Sequence, residues 1–211
     1  MLLLPIYNLC PTQNSPVLRL VDGVRQFEPM RWQLVPATEC ALTTKLSTIN
    51  ARSESVFDSG LYRNLVIRHR CIVPISGFFE WKRNGQRSQP FKIHLRNEAI
   101  MSVAGIWETW RKGTPEEQRS FSILTTAANE FMREIHDRMP GNHRSLGRRC
   151  MARSENDEKE SLQLLLKPCP SSWLTAVEVS PLVNSPKNNV PEVLQPAVAM
   201  EHSQQGVLRF D

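Results

Sequence analysis

Three short blocks, far apart in the chain, hold residue types that move protons or grip phosphates. They are Asn50-Ala51-Arg52-Ser53-Glu54, Gly77-Phe78-Phe79-Glu80-Trp81-Lys82 and Ile135-His136-Asp137-Arg138-Met139-Pro140. Glu80 stands between two aromatics, three residues after a glycine that permits close approach to a ligand. Burial beside Phe79 and Trp81 would raise its pKa and ready it for proton transfer. The plainer reading is an exposed glutamate on the wet side of a strand. His136 follows a helical stretch and precedes Asp137, a carboxylate able to orient an imidazole. It could equally satisfy the last carbonyls of that helix. Asn50 and Arg52 are two apart, so on an extended chain they share a face. Asparagine offers a donor and an acceptor, and arginine a fork for phosphate. The alternative is a loop asparagine and a surface ion pair between Arg52 and Glu54. Arg31-Trp32 and Trp81 put aromatic faces near positive charge, a pairing that binds single-stranded nucleic acid.

The elements that must position these groups are short. Residues 15–21 and 30–35 read as strands among prolines that exclude helix. Ser55 to Leu65 reads as a helix with Ser53 or Ser55 near its N-cap. Cys71 to Ile75 is a compact apolar strand, placed at an edge or strand end by Pro74. Phe78–Lys82 and Phe91–Leu95 form a hairpin pair around the Asn84-Gly85 turn signal. Residues 100–104, 107–110 and 121–126 continue the β pattern, with Trp107 and Trp110 in the core. Ala127 to Ile135 reads as a short helix. After an apolar run at 162–166, residues 174–179 alternate like a strand; beyond Ser185 prolines and asparagines dominate, and the last twenty or so residues read as a loose tail. The fold class is α+β: one domain with a mainly antiparallel, barrel-like β core and a few short helices. Its expected bounds are 1–196, followed by a tail at 197–211.

The 211 residues suit one such domain, and 40% apolar with 22% charged residues is ordinary for a globular chain. The net charge of +5 suits a polyanionic partner. Five widely spaced cysteines without a CxxC signal neither a zinc ribbon nor a redox motif and read as reduced thiols, most of them buried. The other histidines lack metal-ligand spacing. No segment approaches a membrane span or a signal peptide, so a cytoplasmic or nucleoid-associated protein is expected.

In order along the chain, these blocks resemble the SRAP family, the SOS response-associated peptidases. Tyr7-Asn8-Leu9-Cys10-Pro11-Thr12-Gln13 is similar to the family's Tyr-Asn-x-Ala-Pro-Thr-Gln, and Arg31-Trp32-Gln33-Leu34-Val35-Pro36 to its Trp-Gly-Leu-x-Pro strand. Arg70-Cys71-Ile72-Val73-Pro74 and the late pair Val183-Asn184 fit as well. The resemblance implies binding to single-stranded DNA at abasic sites, covalent capture there, and action as a monomer. No metal or organic cofactor is implied. The family's nucleophile is a cysteine exposed when the initiator methionine is removed. Its α-amine condenses with the ring-opened sugar aldehyde, and its thiol then closes a thiazolidine. By resemblance, Glu80 shuttles protons, His136 stabilises the opened sugar and Asn50 lies beside the nucleophile. Arg52 binds DNA phosphate, and Trp32 and Trp81 belong to the DNA surface.

Two departures stand out. Leu2 occupies the cysteine's position, and the opening Met-Cys-Gly-Arg is absent. That leaves open a noncovalent single-strand binder or an inactive remnant. Residues 141–160 replace an expected apolar strand with charged, aperiodic sequence. Codons for Arg148 to Ser154 can be chosen so that a one-base shift reads Asp-Asp-Ala-Trp-Leu-Asp, which is read as a frameshift restored near Glu155.

Overall fold

The computed structural model describes residues 5–141, 159, 162–163 and 166–196. The aberrant stretch, apart from those few residues, lies outside the described residues, as do Leu2, Cys150 and the tail at 197–211.

The chain opens with β1 (Asn14–Val21) and β2 (Val24–Trp32), paired antiparallel. Asp22-Gly23 joins them, with φ of 48° and 78°. Two successive left-handed residues match the twist of a two-residue hairpin. Pro16 and Pro29, which excluded helix, face each other across this pair. Neither needs an N–H there, because residues at a non-hydrogen-bonded pair point their amides away from each other.

There follow β3 (Asn50–Arg52), α1 (Arg63–Arg68), β4 (Arg70–Ile75), β5 (Phe78–Asn84), β6 (Arg87–Leu95), β7 (Met101–Trp110) and β8 (Gln118–Ala127). Then come α2 (Glu130–Arg133), β9 (Arg138–Pro140) and β10 (Leu174–Glu178). Strands run in the order β2-β1-β4-β7-β8, and β8 returns to β2 through a short parallel pairing, Arg31 opposite Ser120 and Trp32 opposite Phe121. The result is a five-stranded barrel. Glu28 of β2 reinforces the seam by pairing with Arg119 of β8 and, at 2.6 Å, with Arg19 of β1. A second sheet, β10-β6-β5, packs beside it.

The apolar residues of β4 and β7 alternate between two cores. Val73 and Val103 join Met30, Phe121, Ile93 and Leu174 in one cluster, while Ile72, Ala104 and Ile106 join Leu34, Leu65 and Leu124 in the other. Each fully buried side chain of this size contributes about 1.5–3 kcal/mol.

Several expectations need correction. The helix expected over 55–65 is a run of turns, and α1 begins only at Arg63. Gly60 lies in that span, and the Ser59 hydroxyl accepts from the Leu61 and Tyr62 amides, which favours a turn over a helix interior. The helix expected over 127–135 is only four residues long. Ala127 still belongs to β8, and the Asn129 side chain caps the helix by accepting from Met132 N at 2.9 Å. The proline- and asparagine-rich stretch after Ser185 is packed against the domain. A 3-10 turn at Pro191–Leu194 buries Val193 against Val179 and Val183, and Asn189 Oδ1 accepts from the backbone amides of Tyr7 and Asn8. Of the described cysteines, Cys71 and Cys169 are buried, Cys10 is half-buried and Cys40 is exposed. All four are free thiols. Trp110 is buried and Trp107 packs on the first core, as expected.

Candidate functional site

Strand β8 is shared between two structures. Its first part sits in the barrel; its end runs on, with β3 parallel on one side and β9 antiparallel on the other. Ala51 is buried opposite Leu124, which turns Asn50 and Arg52 outward on the same side of β3. His136 precedes β9, in the turn where Ala128 N donates to Asp137 O. From the second sheet, β5 brings Glu80. Along that strand Phe78 packs on the core, Glu80 is half-buried where the core ends, and Lys82 is exposed.

These elements enclose a cleft of about 530 Å³. Asn50, Arg52, Glu80, His136, Arg138 and Trp32 all line it. The reading thus brings together residues separated by up to about 100 positions. Trp32 is fixed by its indole N–H, which donates to Ile49 O at 3.0 Å. Trp81 lies outside the lining; its indole donates to Asn184 Oδ1 at 2.7 Å, so the late Val183-Asn184 pair anchors this strand. Gly77 makes its close approach to the neighbouring strand rather than to a ligand. A Cβ there would sit 2.6 Å from Ile93 O.

Burial raises the Glu80 carboxyl above the ordinary carboxylate range. The charge of His136 opposes that rise, as does the Trp81 backbone N–H, while Asp137 adds to it. Glu80 is therefore not the freely solvated glutamate of the plainer reading. His136 Nδ1 accepts from Arg138 N at 3.0 Å and lies 3.2 Å from Asp137 Oδ1. With Nδ1 accepting, the neutral ring carries its proton on Nε2.

Sequence reasoning missed a clamp behind this histidine. Arg138 donates to both carboxylate oxygens of Glu54, at 2.8 and 2.9 Å, and to Thr125 O at 2.7 Å. Glu54 Oε1 also accepts from Ala127 N. The hydrogen bonds from Arg138 hold the Glu54 carboxyl below its usual range. Glu54 therefore pairs with Arg138, not Arg52, and the Arg52 guanidinium has no partner among the described residues. The opposite charges of the first and third blocks were the available signal.

Cys10 does not line the cleft. Its backbone N–H donates to Gln13 Oε1 at 2.9 Å, its Sγ lies 3.5 Å from Asn8 O, and burial raises its thiol pKa. No group of three or more His, Cys, Asp or Glu placed to hold a metal occurs among the described residues. No helix there is long and apolar enough to cross a membrane.

Residues 2–186 match the family described as SOS response associated peptidase (SRAP). The chain belongs to this family. The abasic site processing protein YoqW of Bacillus subtilis is 35% identical over 194 residues, which cover 90% of this chain and 86% of that one. The abasic site processing protein HMCES of Xenopus tropicalis is 27% identical over 222 residues, covering 90% and 65%. A crystal structure of a protein from Bacteroides thetaiotaomicron superposes with a TM-score of 0.76 at 27% identity, over 88% of this chain and 82% of that one. The SRAP resemblance read from seven short blocks thus extends over most of the sequence, and the barrel-centred α+β fold is that of its relatives.

Proposed function

We propose that this protein processes abasic sites in DNA, holding a single strand in the cleft with the base-less sugar between Glu80 and His136. The observation that carries this reading is the convergence of Asn50 and Arg52 from β3, Glu80 from β5 and His136 from the turn before β9 on one cleft. The names of the relatives supply the abasic site as the target.

The chemistry follows from the side chains. Opening the deoxyribose ring requires a proton removed from the anomeric hydroxyl and one delivered to the ring oxygen. A carboxyl whose pKa is raised takes up a proton more readily than an ordinary carboxylate and can return it, which suits Glu80 to both transfers. The His136 Nε2–H donates a hydrogen bond to the oxygen on which charge develops. The Arg52 fork takes a flanking phosphate, and Asn50 hydrogen-bonds the opened sugar.

A second reading, noncovalent recognition, is favoured by one observation. Thiazolidine closure needs an amine and a thiol on adjacent carbons of a terminal residue. Cys10 does not line the cleft, and its nitrogen is a hydrogen-bonded peptide amide, so it cannot supply that pair.

The test uses a labelled single strand with one abasic site and the same strand intact, run on native and denaturing gels. Preferential binding of the abasic strand is expected. A denaturant-resistant band marks covalent capture; salt-sensitive binding without it marks the second reading. Where the band forms, Glu80→Gln slows its formation by about 10²–10⁴-fold. Equal binding of the two strands, or unchanged capture by Glu80→Gln, overturns the proton-transfer reading.

A further inference from the structure

The β5–β6 hairpin continues past Glu80 into solvent and carries only positive charge. Between Trp81 and Arg96 the ionised side chains are Lys82, Arg83, Arg87, Lys92 and Arg96, with no Asp or Glu among them. Residues 81–88 are all exposed, and Lys82, Arg83, Arg87 and Lys92 have no ion-pair partner among the described residues. Unpaired like charges crowded on a two-stranded turn repel one another, which disfavours the hairpin unless a polyanion neutralises them.

The register divides these cations between two faces. Glu80 pairs with Phe91, Lys82 with Gln89 and Asn84 with Arg87. Cross-strand partners and alternate residues share a face. Lys82 and Arg87 therefore lie on the Glu80 side, while Arg83 and Lys92 lie on the other with Trp81. At about 3.4 Å per residue, Lys82 stands about 7 Å beyond Glu80 and Arg87 about 14 Å beyond it. That stepping is comparable to the spacing of successive phosphates in a drawn-out single strand. Arg52 lines the cleft from the β3 wall, so the cations bracket Glu80 from two sides.

We infer that the Glu80 face of the hairpin is a phosphate track, which extends the strand's path beyond the cleft through Lys82 and Arg87. The inference rests on the DNA reading above and adds to it a direction and a length of contact. Its energetic signature is counterion release, because each phosphate neutralised on a single strand adds about 0.7 to the slope of log affinity against log salt. Contacts from Lys82 and Arg87 to phosphates carry no base identity.

The experiment is fluorescence anisotropy of a labelled oligothymidine over a range of KCl concentrations. It compares the parent, Lys82→Gln/Arg87→Gln, Arg83→Gln/Lys92→Gln, and Arg52→Gln. The first double variant is expected to bind about tenfold more weakly near 100 mM salt, with a slope shallower by about 1.4. The second, which removes the same charge from the other face, keeps the parent slope. Arg52, Lys82, Arg83 and Arg87 are exposed and Lys92 is half-buried, and circular dichroism matching the parent confirms that each variant is folded. If both double variants weaken binding equally, the hairpin acts as diffuse charge and the track is overturned. If Arg52→Gln weakens binding while Lys82→Gln/Arg87→Gln does not, the track is overturned and the DNA reading stands. If the parent binds no single strand at any salt, both fall.

Discussion

The two walls of the cleft are held by different forces. Glu80 stands on a strand fixed by apolar contact: Phe78 packs on the main core, Phe79 on the C-terminal cluster, and Gly77 lets β5 close against Ile93. His136 stands on a wall fixed by charge, where the Glu54–Arg138 fork ties the end of β3 to β8 and β9. Packing is insensitive to pH and salt, whereas a half-exposed ion pair is sensitive to both. The carboxylate is thus set rigidly, while the imidazole is set through a contact that solution conditions can loosen.

The packed wall should break most severely. Gly77→Ala forces a Cβ to within 2.6 Å of the Ile93 carbonyl, and backbone on both sides leaves little room to yield. A loss of about 3 kcal/mol is expected in urea unfolding. An unchanged midpoint would mean that this wall is looser than its contacts suggest. Glu54→Ala should cost less, about 1 kcal/mol, because the Glu54 side chain is 51% exposed and solvent screens the pair. The Glu54 carboxyl is depressed in the folded protein, so its contribution is present above the unfolded value near ~4.3 and disappears as pH falls through the folded one. The difference between parent and variant should therefore shrink in acid and in high salt, and a difference flat across both would contradict the charge-held wall. The smallest effect has the opposite sign. Glu80 has a raised pKa, so its ionisation disfavours the folded state as pH rises. Glu80→Gln should melt slightly above the parent at neutral pH and level with it below the unfolded carboxylate value. A variant that melts lower at neutral pH would show that Glu80 is stabilised as an anion.

Sequence alone conveyed the fold class, the long hairpin, whose turn is Gly85-Gln86, and the placement of Trp32, Asn50, Arg52, Glu80 and His136 around one cleft. These rest on local alternation, a strong turn pair, and motifs whose order along the chain is specific. It conveyed the first hairpin in part: the strand over 15–21 is β1, but its partner was placed at 30–35, whereas β2 starts at Val24, directly after the Asp22-Gly23 turn. It did not convey α1, since Val56 and Phe57 mimic a helical apolar stripe yet are buried from turns. The Glu54–Arg138 clamp was invisible for another reason. Its partners lie 84 positions apart, and a nearer arginine offered a simpler pairing. Trp81 matched a motif, but the side of β5 it occupies depends on where Asn184 returns, which no local pattern encodes.

The Asn8 contacts bear on how the protein is made. Its side-chain amide donates to Val183 O and Ser185 O, and Asn189 holds the Tyr7 and Asn8 amides. A ribosome releases these partners 175–182 positions apart. The segment at Tyr7 and Asn8 can be locked against the domain only after residues 183–189 have emerged. A nascent chain stalled before residue 183 would have a barrel to fold but nothing to fasten its beginning.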